Sequence, residues 1–287
     1  MENIGTRLCF LMAIISASRR TDIPAFHGEW FSLQLREGRV SWRNPFGGRL
    51  CAASLLPQDV EAFVFWSKNF APFLSVLGRI EDSYRSVFQF TITGLPQIFE
   101  PNVPSADRTI RTAHDLARRY GPETLLWRYD PILISDLTDA AYHRRKFREL
   151  ASQMEGATRR CYFSFPTFYA KTLRNTAMLA EHTGVNCRDI PVEERLEIAL
   201  ELAETAAQFG MEMYSCCGNS IVGGRIQKAH CIDAELLAKI FPDHVNEHTI
   251  RPTRAECGCS ESVDIGSYNT CRHLCVYCYA NAPSRII

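Results

Sequence analysis

Neither sign of charge is in excess in this chain of 287 residues, with Lys plus Arg and Asp plus Glu at 32 each. Without a net field, nothing global recruits nucleic acid or an anionic membrane, and only a local basic patch could do so. Long hydrophobic runs are missing as well, since no stretch approaches the about eighteen apolar residues that cross a bilayer. Leu8 to Ile15, with Ser16, Ala17 and Ser18 behind it, has the outline of a signal-peptide core and cleavage site. Yet Glu2 stands before it beside Arg7, and the run continues straight into Arg19, Arg20 and Asp22. A buried first strand, and a cytoplasmic protein with no membrane partner, are the expectation. No Gly-x-Gly-x-x-Gly follows a strand-like run, which removes the dinucleotide-binding fingerprint. No internal repeat is present, which removes solenoids and propellers.

What remains is an ordinary globular composition, 46% hydrophobic and 22% charged, enough for one large domain with a sizeable core. Ala13 to Ser18 is continuous and apolar, as in a strand buried on both faces. Val40–Arg43 and Leu50–Leu56 frame the turn Asn44–Gly48 as a pair of strands. Phe63–Trp66, Val87–Thr93, Thr124–Trp127, Cys161–Phe165 and Met211–Ser215 are further strands, the last being the final clear one. Helices are expected over 26–37, 72–80, 106–120, 138–154, 169–182 and 191–209, with Gly38 and Gly121 as stops. Strand and helix alternate, which argues for a parallel α/β domain. The expected form is a TIM-like (β/α) barrel, closed or partly open. Polar groups follow several strands: Arg19, Arg20 and Asp22; Ser67, Lys68 and Asn69; Arg128 and Asp130; Ser164 and Thr167; Cys216 and Cys217. That is the end at which α/β barrels build active sites. From about Pro242 the periodicity lapses, so the chain divides into a barrel over 1–241 and a cysteine-rich tail over 242–287. The tail, with His244 and His248, reads as irregular chain held by metal ligation.

Twelve cysteines are many for this length, and clustered spacing in a cytosolic chain points to metal rather than to disulfides. Cys271, Cys275 and Cys278 are spaced C-x3-C-x2-C, with Tyr277 just before the last. Thiolates are the standard ligands of iron–sulfur clusters, and a four-iron cube takes four, so three leave one iron for a non-protein ligand. The competing reading is a structural zinc knuckle of Cys275 and Cys278 with His273 or another cysteine. A second group comprises Cys257 and Cys259, which Gly258 allows to bend toward one centre, together with Cys231 and Cys217 or Cys216. Four of these would close a zinc or auxiliary iron–sulfur site. Cys9, Cys51, Cys161 and Cys187 read as core or incidental.

The aromatic-bearing C-x3-C-x2-C triplet resembles the cluster motif of radical S-adenosylmethionine (SAM) enzymes. Over about 13–281 the chain resembles the bacterial family catalogued as domain of unknown function 1848, through Ser16–Pro24, Arg43–Phe46, Phe65–Asn69, Trp127–Pro131 and Cys257–Asn281. The resemblance implies a [4Fe-4S] cluster and SAM, a small-molecule substrate it does not identify, and an electron donor such as flavodoxin or ferredoxin. The chain departs from the superfamily in carrying the motif at its end and in lacking a Gly-Gly-Glu-type SAM motif. If the first and last strands of a barrel lie side by side, the tail reaches the mouth beside Ser16–Asp22, as in a circular permutation. In that reading Arg19, Arg20 or Arg128 grips the SAM carboxylate, and Tyr277 belongs to the cofactor site. Asp22 and Asp130 accept ribose hydroxyls or balance the sulfonium, and Lys68 transfers a proton, with Lys68 and Asp130 as the catalytic pair. Each Arg–Asp set also reads as an ion-pair network bracing loops. Two other classes remain open. One is a metal-dependent nucleic-acid-processing protein stacking bases on Trp42, Trp66 and Trp127, disfavoured by the neutral charge. The other is a non-catalytic iron–sulfur or zinc protein that senses or scaffolds.

Overall fold

The apolar run that opens the domain is strand β1 (Ala13–Ala17) in a computed structural model that describes residues 12–243 and 248–281. Cys9, His244 and the start of the signal-like run lie outside the described residues. After β1 come α1 (Ile23–Phe26), a turn of helix ahead of the one expected over 26–37, and α2 (Gly28–Glu37), which is that helix. The break is made at His27, which ends α1 and begins α2. Asp22 caps the first piece by accepting the Ala25 amide, and Gly38 ends the second with φ of 66°, a left-handed conformation that glycine takes without penalty. A separate antiparallel hairpin follows, β2 (Arg39–Arg43) and β3 (Leu50–Ser54).

The strand–helix rhythm then runs β4 (Val60–Ser67), α3 (Leu74–Ile80), β5 (Ser86–Thr91), α4 (Ala106–Tyr120), β6 (Leu125–Tyr129), α5 (Ala140–Met154) and β7 (Arg160–Phe163). It ends with α6 (Ala170–Thr183), α7 (Val192–Gln208), β8 (Glu212–Ser215), β9 (Ile226–Lys228), α8 (Ala234–Ile240) and β10 (Val263–Asp264). Eight strands form one sheet in the order β10-β1-β4-β5-β6-β7-β8-β9, and every pairing in it is parallel. All strand C-termini therefore share one edge, as the polar clusters implied. β9 and β10 stand at the two ends of the order and are not paired with each other, so strand pairing does not close a barrel. Between the segments that carry them, Ser260 N–H bonds the Ile232 carbonyl.

Alternate residues of each strand divide between two cores. Phe63, Phe65, Phe88, Phe90 and Trp127 face the helical layer, where they meet Phe31 of α2 and Phe147 of α5. Each buried ring there contributes about 1.5–3 kcal/mol. Ile14, Val64, Val87, Leu126, Tyr162 and Tyr214 face the other way, and this face is covered by Leu236 and Leu237 of α8 with Cys216, Cys231 and Cys259. One face of the sheet is thus roofed partly by cysteine. Trp127 is fully buried, with its Nε1–H on the Ile92 carbonyl, so it offers no stacking surface to a nucleic acid.

Candidate functional site

The tail reaches the mouth by becoming part of the sheet. β10 pairs with β1, setting Ile15 opposite Val263 and Ser16 opposite Asp264, and Ile265 N–H continues to the Ser16 carbonyl. Adjacency to β1 was expected from barrel closure; it comes instead from a two-residue strand inside the tail. Asp264 fastens this joint. Its carboxylate accepts from Ser16 Oγ at 3.1 Å, Ser18 Oγ at 2.5 Å, the Arg19 amide at 2.9 Å and the Gly266 amide at 3.1 Å. Arg19 and Arg20 flank it at 3.6 and 3.9 Å. Gly266 is needed because a Cβ there would meet Ser18 Oγ at 2.0 Å, closer than any side chain tolerates.

Beyond this joint the loop 271–278 crosses the C-terminal ends of β1, β4 and β5. His273 anchors it on both ring nitrogens, Nε2 to Asp22 Oδ2 at 2.8 Å and Nδ1 to the Asn102 carbonyl at 3.0 Å. Both ring nitrogens face oxygen partners and neither is turned to a metal, so His273 is not placed as the ligand that a zinc knuckle would need. Asp22 holds four protein donors at once, the Ala25 and Lys68 amides, Ser67 Oγ and His273. It therefore ties α1, β4 and the cysteine loop together, with no acceptor capacity left over for a ribose.

Val276 N–H bonds the Phe99 carbonyl, Asn175 of α6 donates to the Val276 carbonyl at 3.0 Å, and Asn281 donates to the Cys271 carbonyl at 3.1 Å. The side-chain oxygens of Asn175 and Asn281 are buried with no partner among the described residues. Beneath the loop lies Glu100, which the sequence reading passed over because it sits in a proline-bordered loop without a motif. It accepts from Lys68 Nζ at 2.8 Å, from Thr93 Oγ1 at 2.8 Å and from the Tyr277 hydroxyl. Burial opposes the Lys68 charge, but the facing Glu100 carboxylate outweighs it and the pKa rises, so Lys68 is held as an ammonium. Burial pushes the Cys271 thiol up to about 12 and raises Cys275 and Cys278 too. The three cysteines lie close enough to feel one another's charge, yet no hydrogen bond joins any two of their sulfurs among the described residues.

The other cysteines assemble separately, at the ends of β8 and β9. Cys216 and Cys231 sulfurs lie 3.1 Å apart, and thiol contacts run on from Cys216 to Cys217 and from Cys231 through Cys259 to Cys257. Cys216, which the expected ligand set gave only as a substitute for Cys217, is central. Arg128 donates to Cys231 Sγ at 3.4 Å and to Gln89 Oε1 at 3.1 Å, while it pairs with Asp130. Its guanidinium lies 5.1 Å from the Trp66 ring centre. Asp130 in turn accepts from Ser164. So Arg128, grouped in expectation with the 271–278 loop, contacts the second group, while Asp130 pairs with Arg128 and also lies near enough to Lys68 to help raise its pKa. Among the described residues no three His, Cys, Asp or Glu are arranged around a point as a bare ion would require. Cys51 and Cys187 are half-buried and Cys161 is buried, apart from both groups.

No helix among the described residues is long and apolar enough to cross a membrane. Among curated proteins none matches the sequence. Solved structures that resemble it include a D-hydantoinase from a Bacillus species, at 10% identity over 73% of this chain and 45% of that one, with a TM-score of 0.32. The chain thus spans less than half of the hydantoinase's length. Another is an α-L-fucosidase candidate from Bacteroides thetaiotaomicron, at 11% identity over 86% and 91% of the two chains, with a TM-score of 0.33. Likeness at that level carries no argument about activity. A family model, by contrast, matches residues 14–280, and the chain belongs to the family described as Domain of unknown function (DUF1848).

Proposed function

We propose that Cys271, Cys275 and Cys278 hold a [4Fe-4S] cluster and that the protein is a radical-SAM-like enzyme. The observation that carries this reading is the placement of the loop. Three thiols at C-x3-C-x2-C spacing, with Tyr277 before the last, are set over the C-terminal ends of β1, β4 and β5. That edge is where parallel α/β sheets bind ligands. The residues fit the group. No hydrogen bond joins two of the three sulfurs among the described residues, and Asp22 and Asn102 occupy the two ring nitrogens of His273. The unpartnered oxygens of Asn175 and Asn281 are acceptors suited to the ammonium or amino groups of a bound nucleoside-linked amino acid.

A cluster bound there would supply one-electron reduction of SAM and a carbon radical. The chain's own residues contribute position and charge. Glu100, Lys68 and Thr93 fix the Tyr277 ring beside the cysteines, and Lys68 lies 5.7 Å from that ring's centre. Arg19 and Arg20, each about one-fifth exposed, stay close enough to solvent to meet a carboxylate, whereas Arg128 is committed to Asp130 and Cys231. Of the three arginines first considered, Arg19 and Arg20 are the ones to test against SAM.

Protein expressed with ample iron and purified without oxygen should hold about four iron and four sulfide per chain. Ala at Cys271, Cys275 or Cys278 should each remove them. Stoichiometric zinc with no iron would overturn the proposal.

A further inference from the structure

The second cysteine group lies outside the loop that carries the proposed function. Three separate segments deliver it: Cys216 and Cys217 after β8, Cys231 after β9, and Cys257 with Cys259 from the tail. Five thiols meeting from three segments far exceed what one buried disulfide needs, and what chance packing of apolar cysteine provides. Two guanidiniums aim at them. Arg254 donates from Nε to Cys217 Sγ at 3.0 Å and from a terminal nitrogen to Cys216 Sγ at 3.5 Å. Arg128 donates to Cys231 Sγ at 3.4 Å. No carboxylate pairs with Arg254 among the described residues, so sulfur is the only acceptor given to its charge there. Four thiolates around one divalent ion carry two net negative charges; Arg254 offsets one of them, and Arg128 donates to the group while it pairs with Asp130.

The backbone is shaped for the same purpose. Cys217 stands at φ of 55°, an uncommon conformation for a residue with a side chain. At Gly258 a Cβ would meet the His230 ring at 2.9 Å, so a larger residue would push the Cys257–Cys259 turn or that ring out of place beside the segment that brings Cys231. Among the described residues of the tail before β10, regular pairing is confined to one isolated bridge between Ile250 and Ser260. A cross-link at Cys257 and Cys259 would hold this stretch in place.

We propose that Cys216, Cys231 and Cys259, with a fourth thiolate from Cys217 or Cys257, bind a single zinc-class ion that clips the tail to the β8–β9 edge. Direct sulfur contact favours one ion over an iron–sulfur cube, whose body would hold its ligand sulfurs further apart. In tetrahedral ligation the sulfurs stand about 3.8 Å from one another. The 3.1 Å between Cys216 and Cys231 has to open slightly to reach that spacing. As placed, no three of these sulfurs surround one point; rotamer changes, each of which moves a sulfur by about 3 Å, would bring them to it.

The test uses the full chain with Cys271, Cys275 and Cys278 all changed to Ser, so that it does not depend on the proposed function. Purified from zinc-supplemented cells, it should carry one zinc per chain. From cobalt-supplemented cells it should show the intense visible bands of tetrahedral cobalt–thiolate. Adding Cys216→Ser, Cys231→Ser or Cys259→Ser should abolish the bands, and only one of Cys217→Ser and Cys257→Ser should do so. Gly258→Ala, which leaves every thiol in place, should lower cobalt affinity at least tenfold. Absence of both metals, a Cys216–Cys231 disulfide in their place, an iron–sulfur chromophore, or bands indifferent to all five replacements would overturn the proposal.

Discussion

Glu100 is the residue on which the cysteine loop rests most heavily. Three donors converge on it, and one of them, Lys68, is a charge taken almost wholly out of water. Removing one partner of such a pair strands the other, at a cost of about 3–5 kcal/mol. Glu100→Gln should therefore lower the urea midpoint sharply, while Glu100→Gln with Lys68→Met should be less destabilised than the two single changes added together. A midpoint unchanged in Glu100→Gln would show the pair to be slack. His143 offers a second residue-level test, away from the cysteines. Fully buried, it has Nδ1 facing the Tyr129 hydroxyl at 2.7 Å and Nε2 facing the Leu133 carbonyl at 2.9 Å, an arrangement that fits the neutral ring. Burial lowers its pKa from 6.5 to about 4. The unfolded chain therefore takes up this proton first, and His143's share of stability is present above pH 6.5 and lost as pH falls toward 4. The share is about 3 kcal/mol at full loss. Wild-type protein should lose more stability than His143→Gln between pH 7 and pH 4.5 in matched urea melts, and parallel losses would contradict this.

Among the elements, β10 matters most for function and was the least visible beforehand. Val263 and Asp264 are two residues in a run of Gly, Ser and Asn, too short for any periodicity to show. Their place in the sheet is set by partners 248 residues away, chiefly Ser16 and the groups around Asp264. β9 escaped notice for the same reason, being three residues long. The longer elements were plain, because phenylalanines repeat through β4 and β5, and α4 carries Gly121 at its end. What the pattern could not convey was that Arg19 and Arg20 share Asp264, that His273 answers Asp22, or that Arg128 belongs with Cys231. Each is a long-range pairing of polar groups with no local signature. Asp264→Asn keeps the shape but turns part of the acceptor into a donor facing the Arg19 and Gly266 amides and the Arg19 and Arg20 guanidiniums. It should cost about 2–4 kcal/mol and expose the tail to limited proteolysis before the core is cut. Gly266→Ala should do likewise through its clash with Ser18. Equal tail protection in both variants and wild type would show that the joint is held elsewhere.

At the scale of the whole molecule, eight parallel strands bring every loop of interest to one edge, and the tail lays a cysteine triplet across it. The spacing of Cys271, Cys275 and Cys278 was legible in the sequence, because ligand spacing is local. The side chains that seat the triplet were only partly legible, because the sheet order assembles them. The proposed function requires that this triplet hold a cluster open to SAM. Paramagnetic resonance of the dithionite-reduced, iron-loaded protein, recorded with and without SAM and followed by assay for SAM cleavage, tests it most directly. The expected result is a spectrum that changes on adding SAM, slow cleavage without any substrate, and loss of both when Cys271, Cys275 or Cys278 becomes Ala. Arg19→Gln or Arg20→Gln should weaken the SAM effect about ten- to hundredfold while the iron content holds. A reduced cluster whose spectrum ignores SAM, with no cleavage product, would contradict it.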